Sequence, residues 1–192
     1  PVDTLNSLLA SIDNGSIASV EIEDRGGGYA PGYGPPRVEF PRPDAGDAYR
    51  NALGRAVLYP NGQLLRVDLQ NRGFGYSSEP TVTISLPGAD RGVTIPGAVG
   101  ATAKAYIFKR GVNKGRLDRI QIQNPGLGYL EGEKIRVDIG PPELLPEQGG
   151  VKATAVTILE YAVASIDIVD GGNGYAVEKK IEVYVEPPPV TA

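Results

Sequence analysis

One phrase occurs four times in this chain and limits its fold more than anything else in it. Residues 17–29 (IASVEIEDRGGGY), 64–76 (LLRVDLQNRGFGY), 117–129 (LDRIQIQNPGLGY) and 163–175 (VASIDIVDGGNGY) share one plan. An apolar residue and two others lead into an apolar-polar-apolar triplet, and Asp or Asn then stands two residues before Gly-x-Gly-Tyr. The closing tyrosines lie 47, 53 and 46 residues apart (29 to 76, 76 to 129, 129 to 175), which is the period of a repeat architecture.

In the first copy Val20 and Ile22 face one way and Glu21 and Glu23 the other, the two-residue period of a half-buried strand. The leading residue of each copy (Ile17, Leu64, Leu117, Val163) stands three before the triplet. On an unbroken strand it would face the wrong side, so either both faces are covered or a bulge realigns the chain. Further short strands are expected at 37–40, 55–59, 80–84, 101–108, 135–139, 153–159 and 181–185. Asn61-Gly62, between two apolar runs, predicts a hairpin turn, because both residues tolerate positive φ. Tyr161 stands where the other copies have glycine, so the fourth turn must be built differently.

Residues 3–13 stand apart. Leu5, Leu8, Leu9 and Ile12 fall at the i, i+3, i+4, i+7 spacing of one helical face, which predicts a short amphipathic helix within an N-terminal segment 1–14. Asp3 or Thr4 caps its start and Asn14-Gly15 stops it. Such a stripe either covers an open end of the core or docks on a partner. The expected fold is one all-β domain over 15–186, with about eleven short strands in four pseudo-repeats of about three strands each (15–43, 55–86, 101–141, 152–186). A sandwich or prism-like arrangement is expected; a four-bladed propeller is the alternative, favoured by the period but not by three strands per unit. Connectors 86–100 and 140–150 are rich in Gly and Pro, and 187–192 is a Pro-rich tail.

Composition narrows the chemistry. The chain has no Cys, His, Met or Trp, so it offers no thiol nucleophile, no imidazole base and no zinc or iron-cluster ligand set. The expectation is a protein that is not an enzyme and has no cofactor. A net charge of -4 argues against nucleic acid as a partner, and no apolar run is long enough for a membrane-spanning helix. Cys and Met are the residues oxidised most readily, so their absence suits an extracytoplasmic setting or an organelle lumen such as that of the thylakoid. The lack of Met predicts that an initiator or a targeting segment has been removed.

The corner glycines, Gly26 and Gly28, Gly73 and Gly75, Gly126 and Gly128, Gly172 and Gly174, allow positive φ or close approach of another backbone. The preceding Asp24, Asn71, Asn124 and Asp170 are placed to bond their own backbone two residues on. Tyr29, Tyr76, Tyr129 and Tyr175 are expected to lay their rings on the core and bond backbone through the hydroxyl. A phosphate loop would need a helix next, and here a strand follows. Calcium at Asp24 and Asp170 is disfavoured, because Asn71 and Asn124 leave the other copies without charge. Asp68, Asp118 and Asp167 occupy outward strand positions rather than a paired acid site. Tyr33, Tyr59 and Tyr106, together with the corner tyrosines, have the ring type that stacks on sugars.

The composite motif, Gly-x-apolar-x-x-apolar-x-apolar, then (Asn/Asp)-x-Gly-x-Gly-Tyr, then Pro-x-Val-x-Ile, then Ala-x-Ala-x-Ala, resembles the tandem Gly-x-Gly-Tyr β-repeats of phage structural proteins and of bacterial surface or secreted proteins. It is clearest at 64–84 and 101–139 and spans nearly all of 15–186. The resemblance implies a non-catalytic building and adhesion module and carries over no catalytic residue. The expected function is a structural, extrinsic subunit that docks on the protein subunits of a larger extracytoplasmic assembly, for example the lumenal side of a photosystem. A virion or surface-adhesion module and a carbohydrate-binding module are the alternatives. Docking is expected through Leu5, Leu8, Leu9 and Ile12, the connectors and the tail.

Overall fold

The computed structural model describes residues 8–44, 49–177 and 180–189. The protein is all-β: the described residues form eleven strands and three single 3-10 turns, and no α-helix occurs among them. In chain order the strands are β1 (Leu8–Asp13), β2 (Ser16–Ile22), β3 (Val38–Glu39), β4 (Leu53–Asn71), β5 (Val82–Ile84), β6 (Thr102–Ile107), β7 (Leu117–Asn124), β8 (Val137–Ile139), β9 (Thr154–Asp170), β10 (Ile181–Glu182) and β11 (Tyr184–Val185). They form open sheets in the orders β10-β1-β2, β11-β3, β6-β7-β4-β9 and β5-β8.

Two expectations are corrected. The helix over 3–13 is replaced, at residues 8–13, by strand β1; Leu5 and the rest of 3–7 lie outside the described residues. Asn14 and Gly15 both have positive φ (48° and 78°) and turn β1 back onto β2, with Asp13 paired to Ser16. Instead of stopping a helix, the pair makes a two-residue hairpin. Asn61-Gly62, in contrast, makes no hairpin: it lies inside β4, which runs straight through. Gly62 has φ 84°, but Asn14 is the non-glycine residue with positive φ among those described, so Asn61 lacks the conformation that a type I′ turn demands. Strand β9 likewise joins the expected strands 153–159 and 163–168 into one.

The protein divides into two compact units, residues 1–59 with 161–192, and residues 60–160. In the 60–160 unit the core is built from Leu64, Val67, Tyr76, Ile84, Ala105, Leu117, Ile120, Tyr129 and Ile139, all buried. In the other unit Leu8, Ile17, Tyr29, Phe40, Ala56, Val163, Ile166, Tyr175, Ile181 and Val185 are buried. Each fully buried Leu or Ile adds about 2 kcal/mol relative to leaving it exposed. At Ile17 and Leu117 the offset of the leading residue is explained by a bulge. Between β6 and β7 the register slips from Tyr106↔Arg119 to Ile107↔Leu117, and between β1 and β2 from Ser11↔Ser19 to Ile12↔Ile17. One extra residue, Asp118 or Ala18, turns Leu117 and Ile17 back to the core side.

Candidate interaction surfaces and the glycine corners

At all four corners the Asx side chain folds onto its own backbone. Gly26, Gly73, Gly126 and Gly172 each donate N–H to the Oδ1 of Asp24, Asn71, Asn124 and Asp170, at 2.9 Å in every case. This local ring positions the next two glycines. The first is indispensable where another backbone crosses. A Cβ on Gly172, whose φ is 63°, would lie 2.3 Å from the Arg50 carbonyl oxygen.

The tyrosine that ends each corner is buried, Tyr129 to 1% exposure. In the 60–160 unit, Tyr129 Oη accepts the N–H of Ala101 at 2.9 Å and donates to the Ser85 carbonyl at 3.0 Å. Tyr76 Oη accepts from Ala153 at 2.9 Å and donates to Gly140 at 3.1 Å. In the other unit Tyr29 donates to Glu186 and Tyr175 accepts from Ala52, both at 2.9 Å. Burial pushes the Tyr29 hydroxyl up to about 12, with the charges of Tyr184 and Glu186 adding to it. Burial also raises Tyr129.

The corners also bind one another's strands through backbone. Leu64 N–H bonds the Pro125 carbonyl and Tyr129 N–H bonds that of Gly62; in return Leu117 bonds Arg72 and Tyr76 bonds Gly115. In the other unit Ile17 bonds Gly171 and Tyr175 bonds Gly15, while Val163 bonds Arg25 and Tyr29 bonds Tyr161. The carbonyl two residues before the leading apolar residue therefore receives a tyrosine N–H whether that residue is Gly or Tyr161.

Two arginines that the repeat pattern does not single out complete this arrangement. The Arg72 guanidinium donates to the carbonyls of Leu117 and Asp118, and Arg25 donates to those of Val163 and Ala164. Each spans two consecutive carbonyls of a core strand, Arg72 at the first residue of β7 and the bulged residue after it, and Arg25 midway along β9. The signal is present as Asp-Arg-Gly and Asn-Arg-Gly, but its use depends on a strand distant in sequence.

Of the residues expected to dock, Leu8 is a core residue (3% exposed), and Leu9 and Ile12 are half-buried on a strand flanked by β2 and β10. The stripe presents no helical face. The exposed apolar side chains lie elsewhere. In the 60–160 unit, Leu86 and Val93 on one connector are 64% and 52% exposed, Leu145 on the other is 51%, and Val112 at the β6–β7 tip is 99%. Leu86 and Val93 line a cavity of about 180 Å³ with Pro87, Ile95 and Ala98. In the other unit Tyr33, Pro35, Pro36, Glu186 and Pro187 border a cleft of about 250 Å³.

The acidic residues are engaged locally. Asp68 pairs with Arg66 at 2.9 Å, Asp118 pairs with Arg119 at 2.7 Å, and Asp167 accepts from Ser165. Exposed Glu143 is held down to about 2 by the Ser78 hydroxyl first and then by the Ser77 N–H. Among the described residues no three acidic side chains gather to hold a metal ion, and no helix is long and apolar enough to cross a membrane. Comparisons with protein-family models, curated proteins and solved structures found no match.

Proposed function

We propose that the protein is a non-catalytic building module, made of four pseudo-repeats, that docks on the protein subunits of a larger extracytoplasmic assembly. The observation that carries this reading is the reciprocal backbone exchange: copies one and four, and copies two and three, each trade a leading-residue bond for a tyrosine bond in both directions. Such closure stiffens the strands and leaves the connectors as the displayed parts, and loops on a rigid support are where recognition concentrates.

The placement of the shifted groups supports the same reading. Tyr29 and Tyr129 owe their raised values chiefly to burial in the corners, and Glu143 owes its low one to neighbouring loop hydroxyl and N–H groups. Each has a structural cause, whereas a catalytic pair would push two groups apart within one cleft. The absence of Cys and Met supports the extracytoplasmic setting. Burial of all four corner tyrosines counts against sugar stacking at those rings.

The test uses the connectors rather than the N-terminal strand. Leu86→Ser with Val93→Ser, and separately Leu145→Ser, are expected to release the protein from the complex with which it co-purifies, while the urea midpoint changes little. Full retention of both variants in that complex would overturn docking through the connectors.

A further inference from the structure

Three Asn-Gly steps occur in the sequence, at 14–15, 61–62 and 173–174, and the structure treats them differently. We propose that Asn14 is a self-modification site. Its carboxamide is lost spontaneously, while the same dipeptide at 61–62 is protected by the fold.

The chemistry needs only the protein and water. The backbone nitrogen of Gly15 attacks Cγ of Asn14, forming a new bond between them; the bond from Cγ to Nδ2 breaks and ammonia leaves, with the amide proton transferred to it. The resulting succinimide takes up one water. Opening at Cγ returns Asp, and opening at the backbone carbonyl yields isoaspartate, in which the backbone runs through the former side chain. No oxidant, reductant or cofactor takes part. Glycine favours the attack because it puts no side chain in the way of the nucleophilic nitrogen.

At Asn14 neither reacting group is tied up among the described residues. The residue is exposed, and its carboxamide makes no hydrogen bond among the described residues. Asp13 pairs with Ser16, so Asn14 and Gly15 are the two residues outside the hairpin ladder. The Gly15 carbonyl is held by Tyr175 N–H, but that bond engages the oxygen and not the reacting nitrogen.

At Asn61 both ends of the carboxamide are occupied. Nδ2 donates to Glu160 Oε2 at 2.6 Å, and Oδ1 accepts the N–H of Gln63 at 3.0 Å. The Oδ1 bond aims the group at the residue beyond Gly62. Gly62 itself is buried, with its carbonyl bonded to Tyr129 N–H. Releasing two hydrogen bonds of ordinary net strength slows the attack by about thirtyfold. Asn173 lies between them: its side chain is exposed, but its N–H bonds the Arg50 carbonyl at 2.9 Å, Gly172 before it is buried, and Gly174 after it is half-buried.

The test is timed peptide mapping of the intact, full-length protein in mildly alkaline buffer. It follows the one-dalton mass gain at each Asn and distinguishes Asp from isoaspartate by fragmentation. The expected order is Asn14, then Asn173, then Asn61, with Asn14 about thirtyfold faster than Asn61. In concentrated urea the three rates should converge, because their local sequences are alike at the reacting step. Equal rates in the folded protein, a faster Asn61, or the same order and spread in urea would each overturn the proposal. Asn61→Ala, in which Asn14 should still convert at its original rate, guards against a general loosening of the fold.

Discussion

Asn14-Gly15 and Asn61-Gly62 are the same two residues placed before the same kind of strand, and the chain turns at the first and runs straight at the second. At 14–15 both residues take positive φ and the chain reverses, so β1 lies on β2. At 61–62 only Gly62 does, and the 19-residue strand β4 passes through the step unbroken. The two glycines nevertheless have one task in common: each offers its carbonyl to the N–H of a corner tyrosine, Gly15 to Tyr175 and Gly62 to Tyr129. That contact is shared by both steps, and the chain reverses only at the step where Asn as well as Gly takes positive φ. A dipeptide with strong turn chemistry is therefore permissive rather than decisive.

The largest expected effect that would break this comparison is at Gly62. A Cβ there would lie 3.2 Å from the Gly128 nitrogen at a φ of 84°, so Gly62→Ala should cost about 3 kcal/mol in urea unfolding. Gly15→Ala meets only an ordinary 3.5 Å contact and should cost about half as much. If the two costs are equal, the crossing backbone at Gly62 is not what sets it apart. Next in size is Asn61→Ala, which removes the bonds to Glu160 and Gln63 and should cost about 2 kcal/mol, again from the urea midpoint. A neutral result would mean that the straight path does not depend on the carboxamide. The smallest effect is at Asn14→Gly, where only the turn conformation matters. The change should stay within about 0.5 kcal/mol, and a large loss would reveal a side-chain role that the turn geometry does not explain.

Much of the corner was legible because its chemistry is local. Asp24, Asn71, Asn124 and Asp170 reach two residues along their own backbone, which spacing alone specifies. The three-residue offset of Ile17 and Leu117 posed a choice between bulge and double burial, and the register slips decided for the bulge. Residues 8–13 misled for a physical reason. Leu8, Leu9 and Ile12 fit a helical stripe, yet Leu8, Ala10 and Ile12 also fit a strand, and six residues cannot separate the two periods. Moreover, Asn14-Gly15 is as good a hairpin turn as a helix stop. Of the docking residues drawn from that stripe, Leu8 is in the core and Leu9 and Ile12 are half-buried on β1.

By itself the sequence determined an all-β protein and the four Asx-glycine corners, because strand alternation, positive φ and a two-residue side-chain reach are properties of neighbouring residues. Only the tertiary structure decided where the backbone turns and which strand receives each tyrosine and each arginine. A turn preference is on the order of 1 kcal/mol, whereas burial of a single side chain such as Leu64 or Val163 is worth about 2 kcal/mol. When the two conflict, as they do at Asn61-Gly62, packing prevails and the strand goes straight.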